Sequence, residues 1–275
     1  MLHHQSAQPT TISVVLSIIN KVAGENEMLN QPTIERLRAL KLSGMLEAYH
    51  EQLQQPQTDL DFETRLGLLL EREWYLRENR KLNRRLKQAK FQQAACVEDI
   101  DYLHPRGLTK PMVQELAQGQ WINQHLNLLI TGPTGCGKTY LACALAHKAC
   151  ILGFSAKYYR LPRLWNELRM AKANGTYANW LSSCAKLDVL ILDDWGLAAL
   201  NDEQRRDLLE LLDDRYKQKS TIITSQLPIS HWHEYLNDAT VADAILDRLI
   251  HNAIKLELKG DSLRKTKSAL QTKVA

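Results

Sequence analysis

The chain has 275 residues, enough for one large domain with a smaller appendage or for two domains with their own hydrophobic cores. Its apolar share of 44% and charged share of 24% are those of a soluble globular protein, and a net charge of +4 does not by itself indicate a polyanionic partner. The five cysteines form no CxxC pair and no metal-ligand spacing, which excludes an evident zinc site or disulfide framework and predicts a reducing, cytoplasmic setting.

The first 27 residues are predicted to be an N-terminal extension. Their apolar run, residues 12–19, is far shorter than the roughly 20 residues that span a bilayer. No Lys- or Arg-bearing leader precedes this run. We therefore expect no signal peptide, no membrane anchor and no membrane partner.

A small helical domain is predicted over residues 28–110. Apolar side chains recur at helical spacing over residues 34–46 and again over residues 62–76. Gly44 is expected to weaken or bend the first of these helices. Residues 104–111, HPRGLTKP, are typical of a linker and are expected to lead into the second domain.

The second domain, residues 111–265, contains four short stretches that predict β-strands, and a basic tail, residues 266–275, follows it. Helical segments separate these stretches. Strands that alternate with helices indicate βαβ units, so the predicted fold class is α/β, a parallel sheet flanked by helices. The predicted strands are residues 126–131, 156–160, 187–192 and 220–225.

A glycine-rich loop connects the first predicted strand to a predicted helix over residues 138–152. Its sequence, GPTGCGKT, matches G-x-x-x-x-G-K-[ST] at every fixed position. The glycines of such a loop let backbone N–H groups point inward at phosphates, the lysine neutralises the terminal phosphates, and the last hydroxyl binds Mg²⁺. The sequence therefore predicts ATP and Mg²⁺ as cofactors. The predicted ligands are Gly132, Pro133, Thr134, Gly135, Cys136, Gly137, Lys138 and Thr139.

Two carboxylates end the third predicted strand, LDVLILDD. Because parallel sheets place ligands at the carboxyl ends of their strands, Asp193 is predicted to hold Mg²⁺, mainly through bound water, and Asp194 to orient or deprotonate the attacking water. Many hydrolysing ATPases have glutamate at the second position. The shorter aspartate predicts hydrolysis that is slow or depends on a partner. The alternative, in which the two acids cap the next helix, stays open.

With these motifs the chain resembles the IstB-type helper ATPases of IS21-family insertion sequences, AAA+ proteins related to the helicase loader DnaC. The resemblance covers residues 28–265 and rests on collinear stretches such as ERLRALKLSGMLEAY, LGLLLEREW, EDIDYLHPRGL, LILDDWGL, TIITSQLP and ADAILDRLIHNAIKLELKGDSLRK. It implies an AAA+ P-loop core, assembly into a homo-oligomer through the ATP sites, and delivery of target DNA to an IS21-type transposase.

The resemblance also implies roles for residues outside the phosphate loop. Thr224, Ser225 and Gln226 end the fourth strand where this superfamily has its first γ-phosphate sensor. Because the usual asparagine is absent, all three stay candidates for the sensor, and Ser225 is included among the predicted nucleotide contacts. Arg248 matches the arginine that reaches a neighbouring subunit's ATP, and Arg264 the second sensor. Without the resemblance, Arg248 would be interpreted as a surface ion-pair residue and Arg264 as a tail cation.

The segment of residues 77–90, RENRKLNRRLKQAK, carries seven cations and one acid. On a helix most of these cations share one side, and such a stripe can follow a phosphate backbone. We predict DNA binding with little sequence specificity, although a solvated surface helix is the alternative. The predicted DNA contacts are Arg77, Arg80, Lys81, Arg84, Arg85 and Lys87.

Three functions follow from these patterns. The first is the transposition helper that the resemblance implies. The second is a DnaC-like loader of a replicative helicase, in which the N-terminal domain would contact the helicase. The third is a small-molecule kinase, which would leave the paired acids and Arg248 without a role.

Overall fold

The computed structural model describes residues 30–55, 59–260 and 262, and the chain divides into two units after Lys81. The sequence placed the end of the helical domain near residue 110, whereas residues 82–110 belong to the second unit. The reason is that Ala89, Ala95, Ile100 and Leu108 are buried in the same core as the sheet.

The first unit is helical. Residues 30–39 form helix α1, which is followed by α2 (Ser43–Gln54) and by the first part of α3 (Phe62–Ala89). Gly44 does not bend a helix, because α2 begins at the residue before it. Its missing side chain instead allows close contact, since a Cβ atom there would lie 2.7 Å from the Cα of Glu73 on α3.

The predicted apolar stripe of α3 does not form a core in this unit. Phe62, Leu70 and Trp74 are more than half exposed. The buried side chain in this part of the helix is Glu73, whose carboxylate accepts hydrogen bonds from the backbone N–H groups of Gly44 (2.6 Å) and Met45 (3.2 Å). The packing of α2 on α3 therefore depends on a buried charge and a glycine.

The second unit is built on a parallel sheet of five strands, which confirms the α/β prediction. The strands lie in the order β2-β3-β4-β1-β5, and every described pair is parallel. The four predicted strands are present, and the fifth, which was not predicted, pairs with β1 at the sheet edge. The strands are β1 (Asn127–Thr131), β2 (Ala156–Arg160), β3 (Val189–Trp195), β4 (Ser220–Ser225) and β5 (Ala253–Glu257).

Helices cover both faces of this sheet. Alternate side chains of each strand point to opposite faces, so that Leu128 and Ile130 of β1 enter one core and Leu129 the other. The helices of this unit are α4 (Lys110–Ala117), α5 (Gln120–Asn123), α6 (Lys138–Ile151), α7 (Leu161–Ala173), α8 (Tyr177–Ala185), α9 (Asp202–Asp213), α10 (Trp232–Leu236) and α11 (Ala239–Ile250), with 3-10 turns at Val97–Asp99 and Ile229–His231. In the described part of the chain, no helix combines the length and apolar character that a membrane crossing requires.

The stretch HPRGLTKP is not a linker. Arg106 and Leu108 are buried, and the guanidinium of Arg106 donates hydrogen bonds to the carbonyl oxygens of Asp101 (2.7 Å) and Cys136 (3.1 Å). Because Cys136 belongs to the phosphate loop, this segment supports the loop from behind. A Gly and a Pro close together indicated a connection between domains, but here Pro105 and Gly107 are exposed positions that alternate with the buried Arg106 and Leu108.

Candidate functional site

The phosphate loop follows β1 and leads into α6. Gly132, Gly135 and Gly137 have φ angles of +145°, +84° and +96°, a region that L-residues with side chains rarely adopt. At Gly132 the space is also restricted, because a Cβ would lie 2.2 Å from the carbonyl oxygen of Leu258. The expected glycine conformations are confirmed, and the loop ends at the N-terminus of a helix, where backbone N–H groups attract anions.

Lys138 is buried and lies across the inside of this loop. Its ammonium donates hydrogen bonds of 2.8 Å to the carbonyl oxygens of both Gly132 and Pro133. The positive charge is thus held over the concave side of the loop. A nucleotide phosphate would meet this charge without a large movement of the side chain.

Thr139 and Asp193, the two predicted Mg²⁺ ligands, lie together. The Thr139 hydroxyl donates to the Asp193 carboxylate, with oxygen–oxygen distances of 3.0 and 3.2 Å. Asp193 also accepts hydrogen bonds from the hydroxyls of Tyr158 (2.5 Å) and Thr224. Burial, together with the Asp193 carboxylate, raises the pKa of Tyr158, so that its hydroxyl remains a donor. Three hydroxyls therefore fix the orientation of this carboxylate.

The oxygen atoms of Thr139 and Asp193 suit Mg²⁺ in their chemistry. Among the described residues, no group of three or more His, Cys, Asp or Glu side chains could hold a metal ion by itself. Mg²⁺ keeps several waters and is commonly held by one or two protein oxygens together with substrate phosphates. The pair therefore fits a cation that arrives with a nucleotide rather than a metal cage.

Asp194 follows Asp193 but points elsewhere. Its φ of +64° is unusual for a residue with a side chain, and the pairing of β3 with β4 shifts register between Leu192 and Trp195. The carboxylate forms an ion pair with the guanidinium of Arg160, at the end of β2, and this contact raises the pKa of Arg160. The irregular backbone therefore sends two consecutive acids to different partners. Neither acid caps the next helix, because the side chain of Asn201 does so for α9.

A cavity of about 210 Å³ opens at the carboxyl ends of β3 and β4. Its lining includes Lys138 of the phosphate loop and Asp194. The remaining lining comes from the last residues of the two strands and from the residues directly after them. They are Trp195, Gly196, Leu197, Thr224, Ser225, Gln226 and Leu227. The structure thus brings the predicted catalytic acid and the predicted phosphate-binding lysine to one cavity.

The three sensor candidates have different surroundings. The Thr224 hydroxyl donates to Asp193, and the Ser225 hydroxyl donates to the carbonyl of Trp195 (2.7 Å) and accepts from the N–H of Leu227 (3.0 Å). Ser225, a predicted nucleotide contact, therefore holds the ends of β3 and β4 together. Gln226 is the candidate that reaches the phosphate loop, because its side-chain oxygen accepts a 2.6 Å hydrogen bond from the hydroxyl of Thr134.

Arg248 is far from the phosphate loop of its own chain. Its backbone carbonyl accepts a hydrogen bond from Asn127, at the start of β1, whereas the loop follows the end of that strand. Five residues of strand separate the two ends by roughly 13 Å. The guanidinium donates to the carboxylate of Asp213 (2.6 Å) and to the carbonyl of Ala244 (2.7 Å). Arg248 thus forms an ion pair within its own subunit and does not complete its own site.

The predicted DNA contacts lie on α3, a continuous helix, but fall on both sides of the division between the units. In the first unit, Arg77 pairs with Glu73 and Lys81 with Glu78, and Arg80 is exposed. In the second unit, Arg84 and Lys87 are exposed and Arg85 is half-buried. The cations are available at the surface, as a phosphate-binding helix requires.

Two residues next to the acids were missed by sequence reasoning. Tyr158 and Arg160 belong to β2, whose register places Arg160 beside Asp193. Their sequence signal is a pair of polar side chains in a strand that is otherwise buried. This signal points to Asp193 and Asp194 only when it is known that β2 pairs with β3. Arg264, the predicted second sensor, lies outside the described residues.

Comparisons with known proteins agree with this geometry. The profile of a family described as IstB-like ATP binding protein matches residues 35–271. An insertion sequence ATP-binding protein of Sinorhizobium fredii is 49% identical over 239 residues, which cover 86% of this chain and 98% of that protein. The ATP-binding protein of insertion sequence IS1162 from Pseudomonas fluorescens is 52% identical over 205 residues, or 74% of this chain and 89% of that protein. The crystal structure of DnaI shares the AAA+ P-loop fold, with a TM-score of 0.51 at 23% identity over 61% of this chain and 89% of DnaI.

Proposed function

This chain belongs to the family of IstB-like ATP-binding proteins, and we propose that, with ATP and Mg²⁺ bound, it assembles with further copies of itself on DNA and delivers that DNA to a transposase. Membership of the family makes it an AAA+ ATPase that serves an insertion sequence. The residue roles, Mg²⁺, the assembly, the DNA and the transposase are the content of the proposal.

The nucleotide is proposed to bind along residues 132–139. Lys138 would exchange its hydrogen bonds to loop carbonyls for bonds to phosphate oxygens, and Thr139 and Asp193 would hold Mg²⁺. When bound, Mg²⁺ supplies positive charge that offsets the charge developing on the phosphates. Asp194 would orient or deprotonate the attacking water once its carboxylate is free of Arg160.

The position of Arg248 is the observation that carries the proposed assembly. The cavity beside Lys138 contains an acid and a phosphate-binding loop, yet Arg248 lies at the other end of β1. Arg248 would therefore stabilise the transition state in the cavity of a neighbouring subunit rather than in its own. A contact of this kind joins different surfaces of two copies, so it generates a ring or a filament.

DNA is proposed to bind through the cations of α3. Contacts to phosphate carry no sequence information, so such a surface selects DNA by charge and by its ability to bend. The helical unit that ends at Lys81, together with the rest of α3, would then serve in DNA binding and oligomerisation, and the sheet-containing unit as the ATPase core. Nucleotide-dependent assembly would align many copies of the helix along one duplex.

A capture experiment tests the proposal. The full chain is incubated with duplex DNA and a non-hydrolysable ATP analogue, and immobilised transposase of the same insertion sequence is used to recover the DNA. We expect recovery only when both the chain and the nucleotide are present, and none with Lys138→Ala. Lys148→Ala is the matched control, since this residue lies on the same helix and forms an ion pair with the surface residue Glu98.

Equal recovery without nucleotide, or with Lys138→Ala, would refute nucleotide-controlled delivery. The same capture with an immobilised replicative helicase examines the alternative loader function. DNA recovered with the helicase and not with the transposase would favour the loader.

A further inference from the structure

A second cavity, of about 210 Å³, opens at the start of edge strand β2. It lies between the end of α3, which contributes Arg85 and Gln88, and β2, which contributes Ala156, Lys157 and Tyr159. Ser155, Ser183, Cys184 and Leu187 complete its lining. Since the nucleotide cavity lies at the carboxyl ends of the strands, this cavity at the amino end of β2 is a separate site.

The two charged residues that line this cavity are both cations. Arg85 and Lys157 are half-buried, and no carboxylate is among the lining residues. Within the described part of the chain, neither side chain forms a hydrogen bond or an ion pair. The ammonium of Lys157 makes a cation–π contact with the ring of Tyr159, whose centroid is 5.6 Å away. Two unpaired, half-buried cations in one cavity favour an anionic ligand, because burial without a counter-ion is costly.

The electrostatic surroundings of Lys157 agree with this interpretation. Burial, followed by repulsion from Lys90, lowers the pKa of Lys157, and the weaker attraction of Glu167 does not reverse the effect. An anion in the cavity would remove this penalty. Gln88 also lines the cavity and adds no charge to it.

We propose that this cavity binds a phosphate group of the DNA backbone, with Arg85 and Lys157 as its ligands. The inference rests on the proposed function, because it extends the DNA surface from α3 onto the ATPase core. DNA is favoured over a small anion because Arg84 and Lys87 are exposed on the adjoining end of α3, and Lys90, also exposed, directly follows that helix. A duplex whose phosphate occupies the cavity can place neighbouring phosphates beside these cations.

Salt-dependent binding of duplex DNA of mixed sequence to the full chain tests the site. Affinity for DNA falls as salt rises, and each lost phosphate contact reduces the magnitude of the slope of log affinity against log salt concentration by about 0.9. We expect Lys157→Gln to weaken binding severalfold at low salt and to lower the slope by about this amount, with ATP affinity unchanged. Lys157→Arg should retain the slope. Lys110→Gln, which removes one exposed charge on α4, should leave it unchanged. A wild-type slope in Lys157→Gln would overturn the site.

A second variant separates ligand binding from damage to the fold. Gln88→Glu places a carboxylate at the rim of the cavity, where it can pair with Arg85 or Lys157. We expect the Tm to be unchanged or higher while DNA affinity falls, a combination that misfolding does not produce. Gln88→Ala, which adds no charge, should bind DNA like the wild type. Wild-type DNA affinity in Gln88→Glu would also overturn the proposal.

Inorganic phosphate distinguishes the two sources of such a ligand. In one outcome, inorganic phosphate binds to the wild type and not to Lys157→Gln, while the salt slope of DNA binding is the same in both proteins. The cavity is then a small-anion site and the proposal is wrong. If the wild-type chain binds no DNA, the proposed function itself fails at the DNA step. If DNA binds and only the Lys157 and Gln88 effects are absent, the proposed function stands without this site.

Discussion

The carboxylate of Asp194 forms an ion pair with the guanidinium of Arg160 on the neighbouring strand. A carboxylate oxygen that accepts a hydrogen bond from a guanidinium is occupied and is not free to orient water. This pair adds a structural reason, besides the short side chain of Asp194, to expect slow turnover by the isolated chain.

Arg160→Gln should therefore increase ATP turnover in the absence of DNA severalfold, because it releases Asp194. The measurement is kcat of the purified chain without DNA. Asp194→Asn is the control and should lower kcat by about 10²–10⁴-fold, the usual contribution of a general base. Combining the two changes should give no increase. A fall in kcat with Arg160→Gln alone would instead assign Arg160 to the reaction itself.

Tyr158→Phe should weaken Mg²⁺ binding while leaving the fold intact. The hydroxyl of Tyr158 holds the Asp193 carboxylate at 2.5 Å, and residues that orient a metal ligand commonly change metal affinity by about 10–100-fold when replaced. The Mg²⁺ concentration that half-saturates ATP turnover should rise within this range. Tyr159→Phe is the matched control, because this tyrosine packs on the opposite face of the same strand. An equal rise in both variants would indicate a general effect of losing a hydroxyl.

The phosphate loop and the four strands could be predicted from sequence because their signals are local. Eight consecutive residues define the loop, and the four strands are short stretches rich in aliphatic, β-branched or aromatic residues. The contacts of the two acids could not be predicted, because they depend on strand order and on the irregular backbone at Asp194. Strand β5, AIKLE, mixes charged and apolar residues at the sheet edge, which gives a weak strand signal. Similarly, Arg106 gives no local sign that it supports Cys136 thirty residues later.

A mixing experiment should reveal the proposed shared site. Arg248→Ala should bind ATP but hydrolyse it about 10³-fold more slowly, the lower end of the effect of an arginine finger, and Lys138→Ala should not bind ATP. In an equal mixture, about a quarter of head-to-tail contacts would join an intact loop to an intact Arg248. Turnover should recover to about that fraction of the wild type. Recovery at the level of the separate variants would mean that Arg248 does not act across subunits.

Acid should weaken the packing of α2 on α3 through Glu73. Burial by itself would raise the pKa of this carboxyl, but hydrogen bonds from Arg77, Met45 and Gly44 outweigh burial and lower the pKa below its ordinary value of 4.5. A lowered pKa means that the stabilisation is complete above about pH 4.5 and is lost as the pH falls through the folded-state value. Glu73→Gln should therefore reduce the free energy of unfolding near neutral pH and flatten its dependence on pH in acid. Urea unfolding at a series of pH values measures both effects. Glu71→Gln, an exposed position on the same helix, should follow the wild-type curve, and a Glu73→Gln curve parallel to the wild type would exclude this buried carboxylate as the acid-sensitive group.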